Sequence, residues 1–201
     1  SLNGEEARYV QIGQVRVLPQ GLGAYAAYAV STPSDLAAGR PVGVVDVGYR
    51  TTDYLLLQPG TRGAVPDEAR SGSIDAGIGQ AYESVRAALQ RETGLMIPAG
   101  VVEQALAGNG SLPIRGQEYP LHALFSEAAR GVAGRITAEL RRAWADRLDF
   151  LRAILLAGGG GAALAPYLAL PAGRVVPDAV FANAQGFLVL AQQVGQGQRQ
   201  Q

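Results

Sequence analysis

The amino-acid sequence predicts an α/β domain. Two nearly unbroken apolar runs of strand length, 42–47 and 150–157, are typical of strands that a sheet buries on both faces. Between them lie two stretches with apolar residues at helical spacing, 76–93 and 121–144. Because strands and helices alternate along the chain, we expect a sheet with helices on its faces.

Composition excludes several classes of protein. The chain has 201 residues, of which 48% are apolar, so it is long enough to bury a full core. Seventeen basic residues balance 17 acidic ones, and this balance favours neither nucleic acid nor an anionic membrane as a direct partner. The chain has no cysteine and one histidine, His122, which excludes thiolate sites and histidine clusters.

The sequence also indicates where in the cell the protein is located. No apolar run reaches the roughly twenty residues that span a bilayer, and no secretory signal opens the chain, so we expect a cytoplasmic protein without a membrane partner. The chain begins with Ser1-Leu2 and not with methionine. We therefore expect a fragment of a longer protein.

The first 41 residues are expected to contain a strand, a helix and a mobile loop. Apolar and polar residues alternate over 15–18, which predicts a strand, and the alanine- and tyrosine-rich stretch 22–30 predicts a helix. Prolines and glycines over 31–41 predict a mobile surface loop.

The buried run 42–47 leads into a predicted hairpin. Gly48 to Thr52 turn the chain into a second strand over 54–58, and a third short strand is expected near 64–65. Asp75 is positioned to cap the following helix, 76–93, and Gly94 to end it.

The second half of the chain is divided by glycine and proline. Residues 95–120 are rich in both and predict a small inserted lobe with one short helix at 99–107. The core therefore consists of 42–94 and 121–193. After the helix 121–144 we expect the strand 150–157, a glycine turn at 158–161 and a short helix at 162–168. An edge strand at 174–176, a terminal helix at 179–193 and a disordered tail at 194–201 follow.

The first candidate site is the predicted hairpin turn. A carboxylate at the end of a buried strand, Asp46, is followed by a glycine turn with hydroxyl groups and free backbone N–H groups, which suits a phosphate. Asp46 and Asp53 are candidates to hold magnesium or to orient an attacking water. The alternative is that Asp46 and Thr52 only stabilise a tight turn.

The second candidate site is the run of four glycines at 158–161. It follows a strand and opens a helix, so its backbone is able to approach a flat or anionic ligand without a Cβ atom in the way. The alternative is a tight turn, because the run matches neither the dinucleotide fingerprint nor a Walker loop.

Taken together and in this order, the motifs resemble the second domain of actin-like ATPases. DVGYRTTD at 46–53 is similar to the second phosphate motif of that superfamily, and 154–162 to its adenosine motif. FANAQGF at 181–187 resembles the terminal helix of ParM-like plasmid-partitioning proteins and archaeal actin homologues. VLPQG at 17–21 resembles the segment that links the two halves. The resemblance implies a ribonuclease-H-like actin ATPase domain, with a mixed five-stranded sheet and flanking helices.

The resemblance also implies ATP and Mg²⁺ as ligands of the full-length protein. Asp46 then serves the metal and the attacking water as the catalytic residue, with Asp53 as a second metal residue. The expected nucleotide-binding residues are Gly48, Tyr49, Arg50, Thr51, Thr52, Glu83, Gly158, Gly159, Gly160 and Gly161. Asp75, Gly77 and Gly79 are further candidates to face the ribose or phosphates, with a plain helix cap as their alternative.

Two departures from the family pattern limit the expected activity. Tyr49-Arg50 replaces small residues of many relatives, so the pair either crowds the phosphates or neutralises them through Arg50. The first phosphate motif of the family is absent from this sequence, so we expect no ATP turnover from this chain alone.

The expected function is a filament-forming cytoskeletal or DNA-segregation ATPase. Its partners would be an N-terminal domain of the same protein, further copies of itself and, through an adaptor, DNA. The alternatives are a scaffold for pilus or division assembly that does not hydrolyse ATP, and a chaperone- or sugar-kinase-type enzyme of the same fold.

Overall fold

The computed structural model describes residues 12–13, 15–32, 39–60 and 63–198. The strands are β1 (Val42–Val47), β2 (Thr52–Gly60), β3 (Gly63–Ile74), β4 (Ser111–Ile114), β5 (Gln117–Pro120), β6 (Ala153–Ala157) and β7 (Gly173–Val175). The α-helices are α1 (Gln20–Ser31), α2 (Ile78–Thr93), α3 (Ala99–Ala107), α4 (His122–Trp144), α5 (Gly161–Leu164) and α6 (Ala182–Gln198). Two 3₁₀ turns, Ala145–Phe150 and Ala165–Tyr167, follow α4 and α5.

Five strands form one mixed sheet in the order β3-β2-β1-β6-β7. The first three strands pair antiparallel, whereas β1, β6 and β7 run parallel. Every residue of β1 and of β6 is buried, as their apolar sequences predict. The structure thus confirms the predicted sheet with helices on its faces.

Helices cover both faces of this sheet. Because side chains alternate along a strand, Val45 and Leu56 face one core with α2, α4 and α5. Val44 and Leu55 face the other core, which α1 and α6 cover. Asp46 lies two residues beyond Val44 and so points to the α1 and α6 side. This places a carboxylate at the end of β1, beside the terminal helix.

Residues 95–120 form the helix α3 and the hairpin β4–β5. A third apolar cluster joins them to α2, with Ile97, Val102 and Ile114 packed against Val85 and Leu89. The predicted helix at 99–107 is confirmed, whereas the hairpin was not expected. The lobe is therefore attached to α2 by its own small core.

Several predicted elements differ from the observed ones. The strand predicted at 15–18 is wrong: these residues are exposed and irregular, with Val17 93% exposed, and they pair with no strand that the structure describes. The predicted loop 31–41 falls largely on 33–38, outside the described residues.

The remaining differences concern the bounds of elements. The third strand is 12 residues long instead of two, and β6 begins at Ala153 because Phe150 belongs to a 3₁₀ turn. The terminal helix continues to Gln198, so 194–198 are helical and not a disordered tail; residues 199–201 lie outside the described part.

Candidate functional site

The two candidate loops follow neighbouring strands. β1 and β6 are parallel, with Asp46 in register with Ala157, so the hairpin turn and the glycine loop leave the same edge of the sheet. The Gly160 amide donates to the Val47 carbonyl oxygen at 2.9 Å. Ligands of open α/β sheets bind at the carboxyl ends of parallel strands. The structure therefore joins the two predicted motifs into one candidate site.

Gly158 brings the glycine loop against Asp46. Its φ angle is +80°, a conformation that favours glycine, and a Cβ atom there would overlap Asp46 Oδ1 and the Val47 carbonyl oxygen. Gly160 is equally restricted, since a Cβ atom would lie 2.7 Å from Val47 Cγ1. Gly159 has open space around it and is exposed. Two of the four glycines are thus required by close packing against the end of β1.

Asp46 is a buried carboxylate. Its side chain is 8% exposed, and its Oδ2 accepts a hydrogen bond of 2.7 Å from the side-chain amide of Asn183. Burial raises the pKa of Asp46; the Asn183 bond lowers it, and the nearby Asp53 carboxylate raises it. The net direction of the pKa is upward, because burial outweighs the hydrogen bond from Asn183.

The hairpin turn presents successive unbonded amides. Within the described residues, the amide nitrogens of Tyr49, Arg50 and Thr51 donate to no protein acceptor, whereas the Gly48 amide donates to Thr51 O at 2.9 Å. Arg50 and Thr51 are exposed. A run of free N–H groups forms a concavity for anions. The turn therefore retains the donors that a phosphate needs.

The turn is held by the start of α2. The Ile78 amide donates to Gly48 O at 3.1 Å, and the Gly79 amide donates to Tyr49 O at 2.8 Å. These carbonyl oxygens satisfy helix amides that a side-chain cap would otherwise serve. The predicted cap at Asp75 is therefore wrong: Gly77 is the N-cap residue, and no side chain caps the helix.

Gly77 and Gly79 permit this contact between the turn and α2. A Cβ atom at Gly77 would lie 2.5 Å from Tyr49 O, and one at Gly79 would lie 2.6 Å from the Tyr49 ring. The backbone of the turn and the start of α2 are too close for any larger residue. Close packing therefore requires glycine at both positions, and their predicted place near the ribose or phosphates stays a prediction.

The Tyr49 side chain turns towards the lobe. Its ring lies 6.4 Å from the Tyr82 ring, which stacks on Phe125. The Glu103 carboxylate of α3 lies near enough to the Tyr49 hydroxyl to raise the pKa of Tyr49. Tyr49 therefore offers its amide to a ligand, while its side chain is engaged elsewhere. Crowding of the phosphates by the Tyr49–Arg50 pair stays a prediction.

Thr52 and Glu83 differ from the other predicted binding residues. The Thr52 side chain is fully buried, and its hydroxyl donates to Ala76 O at 2.6 Å, so it stabilises the hairpin; a contact between Thr52 and a nucleotide stays a prediction. Glu83 is exposed on α2, and its carboxylate pairs with Arg86 at 2.6 Å. A contact between Glu83 and a nucleotide stays a prediction.

Asp46 and Asp53 are directly opposite each other on β1 and β2. In the described part of the chain, no group of three or more acidic or histidine side chains is able to hold a metal by itself. Mg²⁺ is commonly held by one or two carboxylates together with phosphate oxygens and water. The pair, next to the unbonded amides of the turn, fits such an arrangement.

Asn183 was missed as a site residue. It lies on α6, and its Oδ1 accepts a hydrogen bond of 3.0 Å from the Ala24 amide of α1 while its Nδ2 binds Asp46. Asn183 and Asp46 are 137 positions apart in the sequence, so no local pattern signals this contact. The only hint is the small residues around it, Ala182 and Gly186, which permit a close helix crossing.

A family model matches residues 44–169, and its description is the C-terminal domain of MreB-like archaeal actin homologues. The chain belongs to this family. The match covers both loops of the candidate site and the helices between them. Among the residues that the structure describes, no helix is both long and apolar enough to cross a membrane.

Similar proteins agree with this assignment. An archaeal actin homologue of Thermoplasma acidophilum is 26% identical over 187 residues, covering 90% of this chain and 56% of the relative. A ParM filament structure from Clostridium botulinum has a TM-score of 0.81 at 22% identity and covers 96% of this chain and 58% of that one. The archaeal actin homologue Ta0583, solved with ADP, has a TM-score of 0.74 at 25% identity over 88% and 57% of the two chains. The chain thus spans little more than half the length of these relatives.

Proposed function

We propose that this chain forms one wall of an ATP site in an actin-like ATPase. The observation that carries the proposal is the row of unbonded amides at Tyr49, Arg50 and Thr51, next to the buried carboxylate of Asp46 and the backbone of Gly158. Such donors suit the terminal phosphates, and a glycine loop suits a flat base or ribose. The ADP complex of the similar Ta0583 supports a nucleotide as the ligand.

Each part of the site has a role in this proposal. The turn amides bind phosphate oxygens, and Arg50, which is exposed and forms no ion pair with the described residues, adds positive charge. Asp46 accepts a hydrogen bond from the water that attacks the γ-phosphorus, so that the bond to the β–γ bridging oxygen breaks and ADP and phosphate form. Asp46 and Asp53 would hold Mg²⁺, which neutralises phosphate charge when bound.

The other wall of the site is proposed to come from an N-terminal half of the same protein. The chain covers 56% of its Thermoplasma relative, and the matched residues hold one phosphate motif. The ParM filament is a neighbour with the same fold, which supports assembly of this protein into homopolymers in the cytoplasm. A role in DNA segregation, with DNA bound through an adaptor, follows from the same likeness.

A scaffold that does not hydrolyse ATP is the second candidate. The scaffold hypothesis rests on crowding of the phosphates by Tyr49 and Arg50. The packing of the Tyr49 ring against Gly79 and Tyr82 argues against crowding by Tyr49. The remaining feature is Arg50. We therefore favour the ATPase.

The full gene product provides the test. ATP affinity and Mg²⁺-dependent phosphate release are measured for the wild type and for Asp46→Ala. We expect micromolar or tighter binding in the wild type and a loss of about 100-fold or more in turnover for the variant, whose binding falls less. Reversible sedimentation with nucleotide would distinguish a filament from a soluble kinase-type enzyme. Absence of both binding and turnover in the wild type would overturn the proposal.

A further inference from the structure

A single side-chain amide joins the Asp46 carboxylate to two helices. Asn183 Nδ2 donates to Asp46 Oδ2 at 2.7 Å, and the backbone amide of Ala24 donates to Asn183 Oδ1 at 3.0 Å. An amide oxygen accepts and an amide nitrogen donates, so the Ala24 bond fixes which end of Asn183 faces Asp46. The group that meets the carboxylate is therefore always a donor.

The backbone on either side prevents Asn183 from withdrawing. α6 crosses α1 at Gly186 and Gly23, where a Cβ atom at Gly186 would overlap the Gly23 carbonyl oxygen. A Cβ atom at Gly23 would lie 2.5 Å from Asn183 O. Ala182, one residue before Asn183, is fully buried in the core under α1 and α6. The donor is thus held by the packing of two helices and not by a flexible loop.

The two oxygens of Asp46 have different surroundings. Oδ2 is bound to Asn183, whereas Oδ1 lies against the Gly158 backbone, where glycine leaves space. A buried carboxylate without a donor would rotate towards any available N–H group. The Asn183 bond therefore determines the orientation of the carboxylate at the end of β1.

We propose that Asn183 is a positioning residue, which holds one oxygen of Asp46 so that the carboxylate faces the attacking water in one orientation. This inference rests on the proposed ATPase function. The proposed role of Asn183 is to orient the carboxylate, because a general base or water-orienting group is effective only when its lone pair is directed at the water. Asn183 acts through Asp46.

Two variants of the full gene product separate this role from a purely structural one. Asn183→Ala removes both hydrogen bonds. Asn183→Asp keeps an acceptor for the Ala24 amide but presents no donor to Asp46 when assayed at alkaline pH, where the carboxyl is ionised. Gln185→Ala is the matched control, since Gln185 donates to Asp178 at 2.7 Å from the same helix, on an exposed face.

Two readouts decide the matter. In turnover, both Asn183 variants are expected to lose about tenfold or more in kcat with a much smaller change in KM, while Gln185→Ala matches the wild type. In the nucleotide-free protein, hydrogen exchange at the Ala24 amide is expected to accelerate in Asn183→Ala and to stay slow in Asn183→Asp. In an Asp46→Ala background, Asn183→Ala is expected to add no further loss of kcat.

The outcomes are distinguishable from failure of the proposed function. If the wild type turns over ATP and Asn183→Asp does so at the wild-type rate, Asn183 only joins the helices and the inference is wrong. A further loss of kcat in the Asp46→Ala background would also overturn it. If the wild type neither binds nor hydrolyses ATP, the proposed function falls and the inference falls with it.

Discussion

Gly186 on α6 lies so close to Gly23 on α1 that a Cβ atom at Gly186 would overlap the Gly23 carbonyl oxygen. This crossing brings the two helices onto one face of the sheet, where they cover β1 and hold Asn183 beside Asp46. The geometry of the candidate site therefore depends on the Gly186–Gly23 helix crossing, which lies outside the predicted binding residues.

The crossing predicts a large effect of one methyl group. Gly186→Ala is expected to lower the free energy of unfolding by about 3 kcal/mol or more, because the added Cβ overlaps backbone that is unable to move aside. Gly134→Ala is the control: this glycine lies on the exposed side of α4 with open space around it, so alanine should stabilise the helix by up to about 1 kcal/mol. Urea unfolding measures both. Equal effects of the two substitutions would contradict the observed crossing.

A second pair of glycines tests the loop after β6. Gly158→Ala is expected to cost about 1–3 kcal/mol of stability, since φ is +80° and the Cβ atom would overlap Asp46 Oδ1. Gly159→Ala should change the unfolding free energy by less than about 0.5 kcal/mol, because the position is open. Thermal unfolding of the two variants, side by side, provides the measurement. A neutral Gly158→Ala would mean that the loop does not rest on Asp46.

The raised pKa of Asp46 predicts that replacing this residue increases the free energy of unfolding in a pH-dependent way. Burial raises the pKa of Asp46, so the folded state binds its proton more tightly than the unfolded state does. Stability is therefore lost as the pH rises from the ordinary aspartate pKa through the raised one, and the cost persists above it. Asp46→Asn should be more stable than the wild type at neutral pH and equal to it below about pH 4. A variant that is less stable at neutral pH would contradict this reasoning.

Thr52 offers a test of the buried hydroxyl. Thr52→Val leaves the Ala76 carbonyl oxygen without the donor that lies 2.6 Å away, and we expect a loss of about 1–3 kcal/mol. Thr52→Ser retains the hydroxyl and should lose less. Denaturant unfolding of both variants compares them. If valine proves as stable as serine, the hydrogen bond does not hold the hairpin to the start of α2.

Much of the fold could be predicted because its main elements carry local signals. The apolar runs of β1 and β6 and the helical spacing of α2 and α4 identify buried strands and amphipathic helices without reference to the rest of the chain. β3 gave no such signal, because it is an edge strand with Pro66, several charged residues and a bulge opposite Tyr54 and Leu56.

The site was predicted less completely, because its contacts are distant in sequence. The amides of Ile78 and Gly79 are capped by carbonyl oxygens of the hairpin turn, and no local pattern distinguishes these from the Asp75 carboxylate. The orientation of Tyr49 depends on contacts of its ring with Tyr82 and with the Gly79 position on α2. Asn183 reaches Asp46 only after both helices have packed. The sequence thus identified the loops, whereas the helix crossing and the cap required the folded chain.

The central claim is that the nucleotide lies between the hairpin turn and the glycine loop. A structure of the full gene product with ADP and Mg²⁺ tests it most directly. We predict phosphate oxygens about 3 Å from the amide nitrogens of Tyr49, Arg50 and Thr51, with the nucleoside against the Gly158–Gly161 backbone. ADP bound elsewhere, with these three amides still facing water, would contradict it.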